Sequence, residues 1–352
     1  MACSHGRPVS PLLPDHDAAL IHDAGGKPSD AAPLDGGADG AGGAAAGPEC
    51  PPCPLCQITA QCSGGWCLIP GGCFVMGSPG SEWGRAAKNE EQALVTLTRP
   101  FLIQQLETTQ GQWSARGYAN PSGLMKDGLT GDCTDNPNCP LGNVTWFEGA
   151  ALANALSEAE VPPLPRCYTL TGCSGKMGEG MTCDGVATTT PSIYDCGGIR
   201  LPTDAEWEYA ARGGTRTAFY SGDISPGPNL GDCYRDSNLD RVAWYCQNAG
   251  PKSHIGGQKD ANAWGLFDMS GNVEEWVNDV YTGTPPSGPL TDPGAMIASG
   301  ASRAVRGGLF NVWPSLCRSA AKLGSTARLR GPGLGLRLVK PAPSIARGKP
   351  PP

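Results

Sequence analysis

The stretch WGLFDMSGNVEEW, residues 264–276, is the clearest indication of the fold of this protein. Two tryptophans enclose a Gly-Asn turn, with Asp268 before the turn and Glu275 after it. Alone the stretch is a weak signal, because short Gly-rich loops resemble one another by chance in many proteins. Its meaning comes from the other motifs of the 352-residue chain and from their order.

The composition is typical of a loop-rich protein. The chain has 51 Gly, 34 Pro and 16 Cys but only 17% charged residues, which favours irregular backbone over long helices. Its length is sufficient to bury a substantial core. A formal net charge of -7 argues against nucleic acid or an anionic membrane as a partner. No apolar run is long enough for a transmembrane helix.

The number of cysteines indicates an oxidising compartment, and therefore an exported protein at the cell surface or in the periplasm. The N-terminus has no apolar run typical of a signal peptide. Cys3 could be a lipid-modified cysteine if the true start lay upstream, or an ordinary cysteine in a disordered arm. The overlapping C-x-x-C pairs within residues 50–67 fit disulfides in an exported protein, with zinc as the alternative.

Four segments follow from these changes in composition. Residues 1–49 are predicted to be a disordered Gly/Ala/Pro/Asp-rich tether, because such residues bury too little apolar area to offset the entropy of ordering. Residues 50–67 form a Cys/Pro-rich knot, residues 68–340 a globular domain, and residues 341–352 a disordered tail.

Local signals predict strands within residues 68–78 and 94–109, and three helices. Thr109 is expected to begin a helix that reaches Arg116. Two further helices begin with a Thr that has a Glu three residues later, a spacing typical of a capping box. These signals indicate an α+β fold with little regular secondary structure.

The order of the motifs resembles the formylglycine-generating enzyme (sulfatase-modifying factor) family, in particular its bacterial members. The resemblance implies that family's variant of the C-type-lectin-like fold, here disulfide-rich. The matching segments are GGCFVMGS (71–78), ETTQGQW (107–113), VTWFEGAALAN (144–154), RLPTDAEWEYAARGG (200–214), NAWGLFDMSGNVEEW (262–276), RAVRGG (303–308) and CRSAAK followed by GLRL (317–338).

An insert at residues 168–198 also looks like one found in bacterial members of the family. Its three cysteines, with Cys167 just before it, are expected to form disulfides whose connectivity stays open. Cys133 and Cys139 are close enough in sequence for a local bridge.

The resemblance also implies a structural calcium ion. Its ligands would be the side chains of Asp268 and Glu275 and the carbonyl oxygens of Gly271 and Val273. Oxygen ligands at a tight turn suit Ca²⁺, although the two acidic residues could instead only cap the turn. A second family calcium site would fall on Asn229 and Leu230.

The residues for catalysis depart from the family. Its enzymes oxidise a cysteine of a sulfatase peptide with copper(I) held by two thiolates, and in an ungapped count these fall on Val312 and Cys317. Cys317 is thus the one candidate catalytic thiol, and copper binding is not expected. Leu309 replaces a pocket serine, and Glu274 replaces the first Trp of a Trp-Glu-Trp triplet.

Other interpretations of Cys317 stay open. A gap in the alignment would make it no ligand at all, and a structural disulfide is favoured over a reactive thiol. If Cys3 is set aside, an odd number of cysteines remains, so one thiol could be free, with Cys317 a candidate.

The sequence therefore predicts a tethered, calcium-stabilised binding or accessory protein, with an active oxidase as the alternative. Leu309 and Trp313 would line a groove for a protein or peptide ligand. Phe310 is expected in the core, and Trp313, which precedes a proline, is expected to be exposed.

Overall fold

The structure is a computed structural model. The residues that it describes are 50, 60–86, 88–123, 128, 131–134, 136–283, 288–294 and 300–343. The predicted tether and most of the predicted tail lie outside them. In these ranges no helix is long and apolar enough to cross a membrane.

Short strands and few helices make up the domain, as the α+β prediction requires. The strands are β1 (Cys62–Ser63), β2 (Trp66–Ile69), β3 (Gly72–Met76), β4 (Ala93–Leu97), β5 (Phe101–Gln104), β6 (Tyr168–Thr171), β7 (Gly185–Thr188), β8 (Glu274–Val280), β9 (Leu290–Thr291), β10 (Ser302–Arg306), β11 (Lys322–Thr326), β12 (Leu334–Leu336) and β13 (Val339–Pro341). The α-helices are α1 (Gln110–Ser114), α2 (Trp146–Ala159), α3 (Asp204–Arg212) and α4 (Ser237–Val242), and 3-10 turns lie at Ile193–Asp195 and Pro314–Cys317.

The strands form four sheets, and β8, which begins in the signature stretch, is central to one of them. The orders are β1-β2-β5-β13, β11-β10-β8-β12, β3-β4-β9 and β6-β7. Strand β8 is antiparallel to β10 and parallel to β12, with Glu275 opposite Gly335. All but the last of its residues are buried, so the second half of the signature lies in the core.

The helix starts follow the local chemistry of their caps. Complete capping boxes join Thr109 to Gln112, Thr145 to Glu148, and Thr203 to Glu206. These three starts confirm the predictions, but α1 ends at Ser114, earlier than predicted. Helix α3 ends at Gly213, whose φ of 53° is the left-handed conformation that glycine adopts most easily.

Disulfides connect segments close in sequence. The described pairs are Cys50–Cys73, Cys62–Cys67, Cys133–Cys139, Cys167–Cys196, Cys173–Cys183 and Cys233–Cys246. They confirm the bridge predicted around Pro137 and the stapled insert.

The predicted boundary between the knot and the domain is not a structural boundary. Strand β2 crosses residue 68 and pairs with β5, so the end of the knot belongs to a sheet of the domain. The disulfides of Cys50, Cys62 and Cys67 leave these thiols unavailable to zinc. Cys53 and Cys56 lie outside the described residues.

The insert is fixed to the start of α2 by one buried carboxylate. Glu148 Oε1 accepts hydrogen bonds from the backbone N–H groups of Gly178, Gly180 and Met181, at 2.8, 2.9 and 3.0 Å. Its other oxygen, Oε2, accepts the Thr145 N–H of the capping box. The insert is therefore an ordered part of the domain.

Candidate functional site

The turn of the signature stretch folds back on itself through left-handed backbone. Asp268, Gly271 and Asn272 have φ values of 55°, 73° and 60°. A Cβ atom on Gly271 would lie 2.1 Å from the carbonyl oxygen of Trp244, so no other residue fits there without movement of the backbone. The glycine allows this close approach between two loops.

Asp268 is a fully buried carboxylate with one unused oxygen. Its Oδ2 atom accepts a hydrogen bond of 2.7 Å from the backbone N–H of Gly257. Its Oδ1 atom is buried and has no hydrogen-bond partner. Burial raises the pKa of Asp268 to about 6. A buried oxygen without a partner is rare in folded proteins, and an oxygen-seeking cation would satisfy it.

Glu275 is also fully buried, but it is held by other side chains. Its Oε1 atom lies 2.8 Å from Nη2 of Arg337, and its Oε2 atom accepts a 2.7 Å hydrogen bond from the indole N–H of Trp207. Arg337 also donates to the carbonyl oxygens of Gln104 and Phe267. Glu275 thus has a fixed orientation and a cationic partner.

Glu107 is the member of the site that the sequence did not predict. Its Oε1 atom accepts the Val273 N–H at 3.0 Å, and its Oε2 atom accepts Nδ2 of Asn272 at 2.7 Å. Burial, together with the charges of Asp268 and Glu275, raises its pKa well above the ordinary value. The only sequence signal was its place in the motif ETTQGQW, far along the chain from the turn.

These groups form a buried cluster with excess negative charge. Glu107, Asp268 and Glu275 carry three formal negative charges against the one positive charge of Arg337. Lys259 lies over the ring of Trp244, and its positive charge lowers the pKa of Asp268. When all carboxyls are ionised the cluster has a formal charge of -2, which is costly in a dry interior.

The family ligand set fits this cluster in part. Asp268 offers a free oxygen, whereas Glu275 could serve only while it also contacts Arg337. In the described part of the chain, no three acidic, His or Cys side chains are arranged to hold a metal ion. A cation at the turn would therefore depend on backbone carbonyl oxygens as well.

The second implied calcium position lies in a hydrogen-bonded surface loop. Nδ2 of Asn229 donates a 2.7 Å hydrogen bond to Asp232, and the carbonyl oxygen of Leu230 accepts one of 3.1 Å from the Ser315 hydroxyl. The Leu230 side chain is 44% exposed. These contacts fix a surface loop.

Cys317 has a free thiol, and it is fully buried. The expectation of a structural disulfide at Cys317 is wrong. Burial and the negative charge of Glu274 raise the pKa of the thiol well above its ordinary value. Val312, at the other implied copper position, is also buried. Every other cysteine in the described ranges is in a disulfide, so these residues do not supply the thiolate pair that copper(I) requires.

The predicted groove is mostly core. Leu309 and Phe310 are 1% and 0% exposed, so the placement of Leu309 in a groove is not supported, whereas the expectation for Phe310 is met. Leu309 packs closely on Gly333, where a Cβ atom would lie 2.8 Å from its Cδ1 atom. Trp313 is half-buried and Leu316 is half-buried, which leaves a small apolar surface after the Gly-Gly turn.

The four small sheets, the capped helices and the buried signature turn define a disulfide-stapled domain of the formylglycine-generating-enzyme variant of the C-type-lectin-like fold. Residues 57–342 match the family described as "Sulfatase-modifying factor enzyme 1-like domain", and the chain belongs to that family.

The proteins that this chain resembles are described by different names. The chain is 34% identical over 228 residues to "Chaperone protein LppX" of Paenibacillus barcinonensis, a match that covers 59% of this chain and 69% of that protein. It is 27% identical over 308 residues to a formylglycine-generating enzyme of Streptomyces coelicolor, covering 78% and 88% of the two chains. The solved structure of Treponema denticola variable protein 1 shares the fold, with a TM-score of 0.60, 24% identity, and coverage of 78% of this chain and 94% of that one.

Proposed function

We propose that this chain is an exported binding or accessory protein without formylglycine-generating activity. The position of the thiol carries the proposal: Cys317 is enclosed, and Val312 stands where a second thiolate is needed. Copper(I) chemistry of the family type requires both thiolates, and a buried thiol of raised pKa is a poor ligand and a poor nucleophile. The chain retains the fold of the family, whereas the residue at one of the two copper-binding thiolate positions is replaced.

The proposed partner is a protein or peptide, bound beside the Gly-Gly turn. Trp313 and Leu316 offer a partly exposed apolar surface there, and loops on a rigid frame are a common place for recognition. The relative named as a chaperone protein supports an accessory role for this chain. The many disulfides support export to the cell surface or periplasm, and a lipid anchor on Cys3 is part of the proposal.

A peptide assay tests the absence of oxidase activity. The full chain is incubated with a Cys-x-Pro-x-Arg peptide, copper, reductant and air, and the peptide mass is followed. We expect an unchanged peptide cysteine. Conversion of that cysteine to formylglycine, with loss of the reaction in a Cys317→Ser control, would instead establish the active oxidase. Conversion that persists in the control would exclude Cys317 as the catalytic thiol.

We also propose that calcium binds the signature turn as a structural ion. Asp268, with its unpartnered Oδ1 atom, and the carbonyl oxygens of Gly271 and Val273 would hold it, with Glu275 as the fourth group. When bound, the ion supplies positive charge to the cluster and takes no part in a reaction. Calcium at 100 times its Kd would stabilise the fold by about 2.7 kcal/mol. A melting temperature that does not respond to chelator would contradict the site.

A further inference from the structure

We propose that Glu107, which is not among the family ligands carried over to this sequence, is the positioning residue of the cation site. The inference rests on the proposed calcium binding. It concerns how the turn that carries the two carbonyl ligands is held in place.

The first support is the way in which the turn is held. Three consecutive backbone N–H groups have partners: Asn272 N donates to Trp244 O at 2.8 Å, Val273 N to Glu107 at 3.0 Å, and Glu274 N to Gly333 O at 2.7 Å. In a trans peptide the carbonyl points away from the N–H of the same unit. The outer two bonds therefore direct the carbonyls of Gly271 and Val273.

Glu107 supplies the middle bond of this series, and the only one made by a side chain among the three. It also accepts Nδ2 of Asn272, the left-handed residue between the two implied carbonyl ligands. The Asn272 amide cannot turn over easily, because its Oδ1 atom accepts the His254 N–H at 2.8 Å. Glu107 thus fixes the conformation at the one residue that separates the two ligands.

The second support is an unpartnered oxygen at the same turn. The Oδ1 atom of Asp268 is fully buried and accepts no hydrogen bond, which independently points to an oxygen-seeking cation beside the turn that Glu107 holds.

Terbium luminescence tests the proposal in the full-length protein. Tb³⁺ replaces Ca²⁺ at oxygen sites and is excited through a nearby indole, here Trp207, which contacts Glu275 at 2.7 Å. Calcium affinity is measured by displacement of Tb³⁺. In Glu107→Gln we expect a 10- to 100-fold loss of calcium affinity, the usual effect of losing an outer partner of metal ligands. Glu107→Asp keeps the charge and should recover part of that loss.

The matched control is Glu148→Gln. Glu148 is likewise fully buried and accepts backbone N–H groups, but it holds the insert on α2. We expect a lower melting temperature in this variant and a calcium affinity within about twofold of the wild type. Loss of affinity in Glu148→Gln equal to that in Glu107→Gln would mean a general effect of destabilisation, and would overturn the proposal.

Other results have distinct meanings. If wild type binds calcium and Glu107→Gln binds it equally well, the role of Glu107 is refuted while calcium binding stands. If wild type binds no calcium, both proposals fall. Should the Glu107 variants not fold, Asn272→Gly takes their place, because glycine keeps the left-handed backbone and removes the Nδ2 donor to Glu107. A calcium affinity equal to that of the wild type would then refute the positioning role.

Discussion

Replacement of Arg337 by Met is the most direct test of the buried charge cluster. The guanidinium is fully buried and contacts Glu275, and it also donates to the carbonyl oxygens of Gln104, Gln105 and Phe267. Methionine fills a similar volume but supplies no donor. The substitution leaves three buried carboxyls without their cationic partner.

The expected cost follows from the loss of one partner of a buried ion pair. Such changes destabilise proteins by about 3–5 kcal/mol, because the remaining charge stays buried without compensation. For a domain of this size each kcal/mol corresponds to roughly 2–4 °C in melting temperature. We therefore expect a decrease of roughly 6–20 °C.

Denaturant unfolding with disulfides intact, supported by calorimetry, measures this cost. Arg235→Met is the matched control, because Arg235 also pairs with a carboxylate but its side chain is 81% exposed. An exposed pair contributes little to stability, because solvent and salt screen it. If Arg337→Met costs no more than Arg235→Met, the buried cluster is not a major determinant of stability and our description of it is wrong. Added calcium should restore more stability to Arg337→Met than to wild type, since the variant has a larger charge excess.

Three further predictions concern other parts of the fold. Burial raises the pKa of Asp132 to about 7, so its contribution to stability is complete below about pH 4 and is lost as pH rises to 7. Asp132→Asn should therefore reduce the change in unfolding free energy over that pH window by up to about 4 kcal/mol. An unchanged pH dependence would exclude Asp132 as its cause. Gly271→Ala should destabilise the protein by more than 2 kcal/mol in chemical denaturation, because φ is 73° and the backbone of Trp244 is too close, and a cost below 1 kcal/mol would show that the turn adapts. Leu309→Ala should cost about 2–5 kcal/mol and Trp313→Ala under about 1.5 kcal/mol by the same measurement, whereas equal costs would contradict the division between core and surface.

Much of the local structure was readable from the sequence, because the interactions concerned are local. The capping boxes at Thr145 and Thr203 depend on residues three positions apart, and both were found as predicted, as was the helix start at Thr109. The Cys133–Cys139 bridge likewise closes a short loop. The boundary at residue 68 could not be predicted in this way, because β2 is defined by its pairing with the distant strand β5.

The order of the motifs along the chain was sufficient to identify the family and its fold, and it placed a glycine turn between acidic residues at 264–276. The surroundings of that turn depend instead on tertiary packing. Glu107 and Arg337 come from segments that are distant in the chain. No local sequence pattern predicts that Glu107 contacts Val273 or that Arg337 contacts Glu275. The packing of the chain brings these charges together, and their burial in a dry interior makes them significant.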